Sequence, residues 1–362
     1  MNLDGVFPMQ KPFSIPGPDA AAFEGLALRA GRIGIVTHTR PDGDAIGSCL
    51  ALKRYLEARL GGAGNCRILL DTDAPDAVRF LFSPADLRET LVHDRDAAAV
   101  REWATGCGLL FFLDLNTLSR TGGMEETLRR TDVPRILVDH HLRPDLADFG
   151  LAFSETEVSS TCELLYRILR ALPSCEGIGL PEGCAEPLLT GITTDTNNFA
   201  NSVYGGTLET VAELLETGVD RERILEHVYN EYPERRIRLM GRLLDRELTI
   251  SDKGVACMIL DGETAAAYGI KEGETEGFVN IPLAIDRVRM SLFLKQSGDE
   301  YRVSIRSKKG WSARDLAARY FAGGGHEQAS GGRIPLGGGL KTKDDVAAFV
   351  ARCTDEFLTD ES

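Results

Sequence analysis

Positive charge is scarce in this chain of 362 residues: 41 Lys and Arg stand against 55 Asp and Glu, a formal net charge of −14. That balance excludes a protein that coats long duplex nucleic acid through a basic surface. It leaves room for a small phosphorylated substrate, because bound cations and a local basic patch can reverse the field at one site. Long apolar runs are absent too; nothing approaches the ~18 residues of a membrane span. The stretch Met1–Ala20 has neither a basic start nor an apolar run, so it does not have the form of a signal peptide. No C-x-x-C pair occurs among the scattered cysteines Cys49, Cys66, Cys107, Cys162, Cys175, Cys184, Cys257 and Cys353. They are expected to be reduced core residues rather than disulfides or zinc ligands. A cytoplasmic location follows by elimination.

What is present is an alternation. From Arg32 to about Asn198, short apolar runs alternate with helical patterns. Arg32–Thr37, Arg67–Leu70, Leu109–Leu113 and Arg135–Val138 read as buried strands. Ala45–Leu60 reads as an amphipathic helix ended by Gly61-Gly62. Ser160–Leu172 reads as a helix opened by a Ser160/Glu163 capping box, and Ala185–Thr194 as another. This order predicts an α/β fold, a parallel sheet with helices on both faces and ligands bound beyond the carboxyl ends of the strands. Gly218–Glu247 reads as a helical connector with Ile224, Val228, Ile237, Met240 and Leu244 as its apolar positions. A smaller α/β domain follows, with strands near Val255–Leu260, Met290–Lys295 and Tyr301–Arg306, a helix at Ser312–Tyr320 and a last helix near Val346–Phe357.

The chemistry sits at the ends of the apolar runs. His38-Thr-Arg-Pro-Asp42-Gly-Asp44 follows the first strand, Asp114 ends Phe-Phe-Leu-Asp, Asp139-His140-His141 follows Ile-Leu-Val, and Asp195 closes Gly-Ile-Thr-Thr-Asp. Any one of these residues reads equally well as a helix cap or a packed side chain. Carboxylates and imidazoles gathered from four separate strand or helix ends are what a pair of divalent cations requires. Asp42 and Asp44 lie in a non-helical segment pinned by Pro41 and Gly43 and can point at different ions, and Asp114 can bridge both. Oxygen-rich ligation with one imidazole per ion suits Mn²⁺ or Mg²⁺ more than zinc. Two ions about 3.5–4 Å apart serve in-line displacement at phosphorus. His93 and His227 lie outside these motifs and are expected to have no catalytic role.

Together with Gly323-Gly-Gly-His326, these motifs resemble the DHH/DHHA1 phosphoesterase superfamily, and within it the soluble NrnA-type bifunctional oligoribonucleases and 3′-phosphoadenosine 5′-phosphate (pAp) phosphatases. The resemblance runs from about Arg32 to Phe349 and includes Ser159-Ser-Thr-Cys-Glu163 and Glu276-Gly-Phe-Val-Asn-Ile-Pro282. It implies a DHH catalytic domain over residues 1–217, a helical linker over 218–247 and a DHHA1 substrate-binding domain over 248–362 closing a cleft. It implies one ion held by His38, Asp42 and Asp114, and another held by Asp44, Asp114, His140 and Asp195. His141, Asp139 and Asp114 form the implied catalytic group. His141 faces the phosphate as charge stabiliser or proton donor, and Asp139 orients a histidine.

Between Asp286 and Arg319 the charge reverses: Arg287, Arg289, Lys295, Arg302, Arg306, Lys308, Lys309, Arg314 and Arg319 outnumber Asp286, Asp299, Glu300 and Asp315. Glycines at 323–325 let backbone N–H groups approach a phosphate. The resemblance makes this loop, with Arg306, Ser307 and His326, the substrate-binding element. Phe278 and Tyr301 are candidates for base stacking, with core packing as the plainer role. The expected partners are short single-stranded RNA, dinucleotides and pAp, with no long duplex and no membrane; pairing into a homodimer stays open. The expected activity is a Mn²⁺-dependent phosphodiesterase on short RNA with pAp phosphatase activity. Hydrolysis of linear or cyclic dinucleotides, a manganese pyrophosphatase and a non-enzymatic nucleotide-binding regulator are the competing readings.

Overall fold

Six apolar runs of the first half pair side by side as parallel strands. The structure, a computed structural model, describes residues 14–61, 64–271 and 273–360. Most of the stretch Met1–Ala20, and Gly62 of the glycine pair after the first predicted helix, lie outside these residues. The chain divides into two units, Met1–Glu231 and Tyr232–Ser362.

In the first unit the strands are β1 (Ile33–Val36), β2 (Cys66–Leu70), β3 (Leu91–Val92), β4 (Leu109–Leu113), β5 (Arg135–Asp139) and β6 (Leu151–Ser154). They form one sheet in the order β3-β2-β1-β4-β5-β6, parallel throughout. Strand order reverses between β1 and β4, the place where open α/β sheets bind ligands. The helices are α1 (Gly17–Arg29), α2 (Gly43–Leu60), α3 (Pro84–Glu89), α4 (His93–Thr105), α5 (Glu125–Arg130), α6 (Thr161–Ala171), α7 (Ala185–Asp195), α8 (Gly205–Glu216) and α9 (Arg221–Leu225).

Side chains alternate across the sheet and so build two cores. Ile35, Ile68, Phe111, Leu113 and Val138 pack with Phe23 of α1, Leu50 of α2, Leu164 of α6 and Leu188 of α7. Val36, Leu69, Leu110, Phe112 and Leu137 pack on the other face with Val100 of α4 and Leu128 of α5. Every residue of β4 is fully buried, each contributing about 1.5–3 kcal/mol of hydrophobic stabilisation. On the first face α2 and α7 approach closely because both carry glycine. A Cβ on Gly47 would lie 2.4 Å from the Pro187 carbonyl oxygen, and one on Gly191 would lie 2.2 Å from Cys162 Sγ.

The second unit contains α10 (Glu234–Arg242), β7 (Thr249–Ile250), β8 (Val255–Leu260), α11 (Gly262–Ala267), β9 (Met290–Ser297), β10 (Glu300–Ser307), α12 (Ala313–Tyr320), β11 (Gly324–Gly325), β12 (Ala329–Pro335) and α13 (Lys343–Asp360). Its sheet runs β11-β12-β10-β9-β8-β7, with β8 and β9 parallel and the other pairs antiparallel.

The stretch 218–247 is helical, but its apolar phase differs from the expected one. Ile237 is 47% exposed, whereas Leu239 and Leu243 are fully buried. The helix is interrupted before Pro233, which caps α10, and a new start resets the phase. Phe278 and Tyr301, the stacking candidates, are 1% and 2% exposed and belong to the cores, so neither face is available to a base. The cysteines carry no disulfide; all are buried except the half-buried Cys257. Among the described residues no helix is long and apolar enough to cross a membrane.

Candidate metal centre

Beyond the carboxyl ends of β1, β4 and β5, and at the end of α7, the structure brings His38, Asp42, Asp44, Asp114, His140, His141 and Asp195 together. Asp114 is the hub. Its φ is +60°, a left-handed value that a non-glycine residue adopts at some strain, and its N–H is tied to the Val138 carbonyl at 3.0 Å. The buried carboxylate lies 3.3 Å from His38 Nε2, 3.6 Å from His140 Nε2 and 3.6 Å from His141 Nδ1. Thr161 Oγ1 donates to it at 3.0 Å. Burial works against its charge, but the His38 hydrogen bond and the three imidazoles outweigh it and hold the carboxyl well below the usual range.

His38 is oriented by its own neighbour. Its Nδ1 donates to the Thr39 carbonyl at 2.9 Å, which leaves Nε2 facing Asp114 and, at 4.0 Å, Asp42. Burial opposes protonation of His38, yet the Asp114 hydrogen bond and the fields of Asp42 and Asp114 prevail and push it up to about 9. Asp42 has two tasks: its Oδ1 caps α2 by accepting the N–H groups of Asp44 and Ala45 at 3.0 and 3.1 Å, and the same carboxylate faces His38. The helix cap and the candidate ligand are one residue.

Asp44 is 1% exposed and rests on the amino end of α6, where Thr161 N–H and Cys162 N–H donate to its two oxygens at 2.7 and 2.8 Å. Burial, followed by the fields of Asp114 and Asp42, raises its carboxyl well above the ordinary value. His140 Nε2 lies 4.0 Å from Asp44 and 3.4 Å from Asp195. Burial lowers the affinity of His140 for a proton, which suits an imidazole that must offer a lone pair. Behind Asp44, the Cys162 thiol contacts the Asp44 carbonyl oxygen at 3.5 Å, and burial and the Asp44 charge raise its pKa well above the usual thiol value.

Two groups with no shared residue, His38/Asp42/Asp114 and Asp44/His140/Asp195, each have ligand atoms within 4.8 Å of one another, and Asp114/His140/His141 form a third that joins them. Oxygen ligands at 2.0–2.1 Å from an octahedral ion sit about 3 Å apart, so the donor sets are nearly spaced for a cation each. The carboxylates massed here repel one another, and the donor chemistry fits divalent ions well.

Asp139 is fully buried; its Oδ1 accepts from His141 Nδ1 at 2.8 Å and its Oδ2 from the His141 N–H at 3.1 Å. These two contacts fix the orientation of the His141 ring. Sequence reasoning missed the supporting groups. Thr161 holds Asp114, and its signal was present in Ser-Ser-Thr-Cys-Glu, although that stretch was read for a cap and for the family resemblance and not for a contact to Asp114. The cap itself is half of the expected box: Ser160 accepts from Glu163 N–H at 3.1 Å, but the Glu163 carboxylate binds Ser159 and Thr207 instead of the Ser160 N–H. After Asp195 the residues Asn197, Asn198 and Phe199 all take left-handed φ, a compact turn with no periodicity to announce it. His227 stacks on Phe80 and pairs with Glu231. His93 lies 3.7 Å from Asp71, outside the residues gathered at the centre.

The profile of the DHH family, N-terminal domain, matches residues 32–192, and that of the DHHA1 domain matches residues 252–357. The chain is a DHH/DHHA1 phosphoesterase. It is 30% identical to the bifunctional oligoribonuclease and PAP phosphatase NrnA of Thermus thermophilus over 84% of each chain. It is 27% identical to the cyclic-di-AMP phosphodiesterase PdeA of Listeria monocytogenes over 55% of this chain and 30% of that protein. The crystal structure of an exopolyphosphatase-related protein from Bacteroides fragilis superposes with a TM-score of 0.87 at 30% identity, covering 98% of this chain and 99% of the other.

In the DHHA1 part, the loop Gly323–His326 contains β11, which pairs with β12. Two of its glycines are demanded by packing. A Cβ on Gly323 would fall 1.9 Å from the Gly331 oxygen, and one on Gly325 (φ +142°) would fall 2.7 Å from the Ala329 oxygen. Gly324 has open space around it, so nothing in the fold excludes a side chain there. His326 exchanges backbone hydrogen bonds with Ala329, and Ser330 Oγ donates to its carbonyl at 2.8 Å. Arg306 pairs across the ladder with Ala329, next to this turn. The Ser307 hydroxyl donates to the Trp311 carbonyl at 2.6 Å and thus closes its own turn. The register also sets Lys295, Arg302 and Arg333 in one row across β9, β10 and β12.

Proposed function

We propose that this phosphoesterase is a Mn²⁺-dependent phosphodiesterase that converts short oligoribonucleotides to nucleoside 5′-monophosphates and also removes the 3′-phosphate of pAp. The observation that carries this reading is the pair of His/Asp groups, His38/Asp42/Asp114 and Asp44/His140/Asp195, joined by the 3.6 Å approach of Asp114 to His140, in a chain similar to the Thermus thermophilus enzyme over 84% of both lengths. His38, Asp42 and Asp114 would hold one cation, and Asp44, Asp114, His140 and Asp195 the other. Such a pair supplies Lewis acidity to the phosphoryl oxygens and an activated water. His141, its tautomer fixed by Asp139, offers Nε2 to the phosphate, as charge stabiliser or proton donor. Arg306, His326 and the backbone of Gly323–Gly325 would hold a phosphate or ribose of the substrate, and Gly324 is where a ligand can approach the main chain most closely.

A second reading, hydrolysis of cyclic or linear dinucleotides, is favoured by the similarity to the Listeria enzyme, although that similarity spans only about half of this chain. Parallel assays of product release from pApA, pAp, cyclic di-AMP and pyrophosphate with Mn²⁺ separate the readings. Rapid turnover of pApA and pAp, and of di- to pentanucleotides over long structured RNA, is expected. Turnover confined to cyclic di-AMP or to pyrophosphate, or equal rates on long RNA, overturns the proposal.

A further inference from the structure

The Asp71 carboxylate follows β2, is 6% exposed and makes no ion pair with lysine or arginine among the described residues. Its oxygens are taken by two loops that flank the metal centre. Oδ2 accepts the Thr39 hydroxyl at 2.5 Å, and Oδ1 accepts the Gly123 N–H at 2.8 Å. The loop after Asp114 is pressed onto it: a Cβ on Gly122 (φ +62°) would lie 2.1 Å from Asp71 Oδ2, and one on Gly123 would lie 2.5 Å from the His93 ring. Asp71, His93 and Asp94 offer ligand atoms within 4.8 Å of one another. With both Asp71 oxygens engaged and glycine backbone against them, the cluster is not open to an ion.

Its reach is toward His38 instead. Thr39 is gripped at its hydroxyl by Asp71 and at its N–H by the Arg120 carbonyl at 2.7 Å, while the next residue, Arg40, with φ +51°, is tied by its N–H to Thr72 Oγ1 at 3.0 Å. The carbonyl of this same Thr39 accepts from His38 Nδ1. Outer groups that fix the second nitrogen of an imidazole ligand commonly change metal affinity by about 10–100-fold when removed. We propose that Asp71 is a positioning residue for the His38 cation position, acting through Thr39, and that it sets the affinity of that position and not of the Asp44/His140/Asp195 position. The proposal rests on the two-cation reading of the centre.

Mn²⁺ binding to the purified full-length chain, followed by calorimetry and by loss of the free-ion paramagnetic signal, provides the test. Wild type should titrate two ions. Asp71→Ala and Thr39→Val should each weaken one ion about 10–100-fold and leave the other within about twofold. Thr39→Ser, which keeps the hydroxyl, should restore wild-type binding. The double variant should be no weaker than the weaker single one, because both substitutions cut the same chain of contacts. Unaltered affinities in Thr39→Val, equal weakening of both ions, or additive losses in the double variant would overturn the proposal while wild type still binds two ions. A wild type that binds none would overturn the two-cation reading and this inference with it. Unfolding midpoints recorded alongside identify a variant that has merely lost structure, and Thr39→Val, nearly isosteric, keeps the test sound if Asp71→Ala does not fold.

Discussion

Asp114 shows how a single residue gathers the site. Its left-handed backbone turns a strand end outward, and three imidazoles and one hydroxyl converge on its carboxylate. Asp114→Ala should abolish Mn²⁺ loading and hydrolysis while far-UV circular dichroism stays near wild type. Wild-type turnover in that variant would refute its bridging role. His38 adds a pH dependence with a definite sign. Its affinity for a proton is raised to about 9, so in the metal-free protein it contributes stability that is full below the unfolded value near 6.5 and lost as pH rises through 9. A cation must displace that proton, so Mn²⁺ affinity at the His38 position should rise by up to about tenfold per pH unit between pH 6.5 and 8.5. Calorimetry in buffers of different ionisation enthalpy should register the released proton, and a pH-independent Kd would contradict it.

Helices α2, α6 and α7 form one positioning device. Asp42 starts α2, Asp44 lies on the first N–H groups of α6, and α7 comes close enough to deliver Asp195 because Gly191 and Gly47 carry no side chain. A methyl at Gly191 would lie 2.9 Å from Asp44 Oδ1 as well as against Cys162. Gly191→Ala should therefore cost about 1–3 kcal/mol of stability and weaken the Asp44/His140/Asp195 ion in the same protein. Denaturant unfolding and Mn²⁺ titration would show both losses; a fully stable variant with normal loading would mean that the helices can separate freely.

At this scale the limits of sequence reading become physical. Strands β1, β2, β4 and β5 were legible as dense apolar runs, and the ligand candidates were legible as Asp and His at the ends of those runs. Strand β3 is two residues long, and β12 contains Gly331-Gly332, so neither has a period to detect. Helix α8 was missed for its mixed faces, with Leu208 and Leu215 exposed. Asp71 was invisible as a participant because its partners, Thr39 and Gly123, are remote in sequence and meet it only when β1, β2 and β4 align.

For the whole molecule, the net charge of −14 falls on the first unit, which also contains the candidate metal centre. Saturation with Mn²⁺ at 100 times its Kd should stabilise the native chain by about 2.7 kcal/mol per ion. Differential scanning calorimetry should show the unfolding midpoint rising with Mn²⁺ and falling back with a chelator; a midpoint insensitive to both would argue against tight loading. The charges of the second unit balance, and its basic residues are gathered in the segment Asp286–Arg319, where nine Lys and Arg, Lys295 and Arg302 among them, stand against four Asp and Glu.

The thiol of Cys162 stands directly behind Asp44, and burial keeps its proton in place. A hard ion such as Mn²⁺ has no means of stripping that proton and stays with the oxygens in front. A thiophilic ion such as Cd²⁺ would compete for that sulfur, so Cd²⁺ is expected to inactivate the wild type at lower concentration than Cys162→Ser, and equal sensitivity of the two would contradict this.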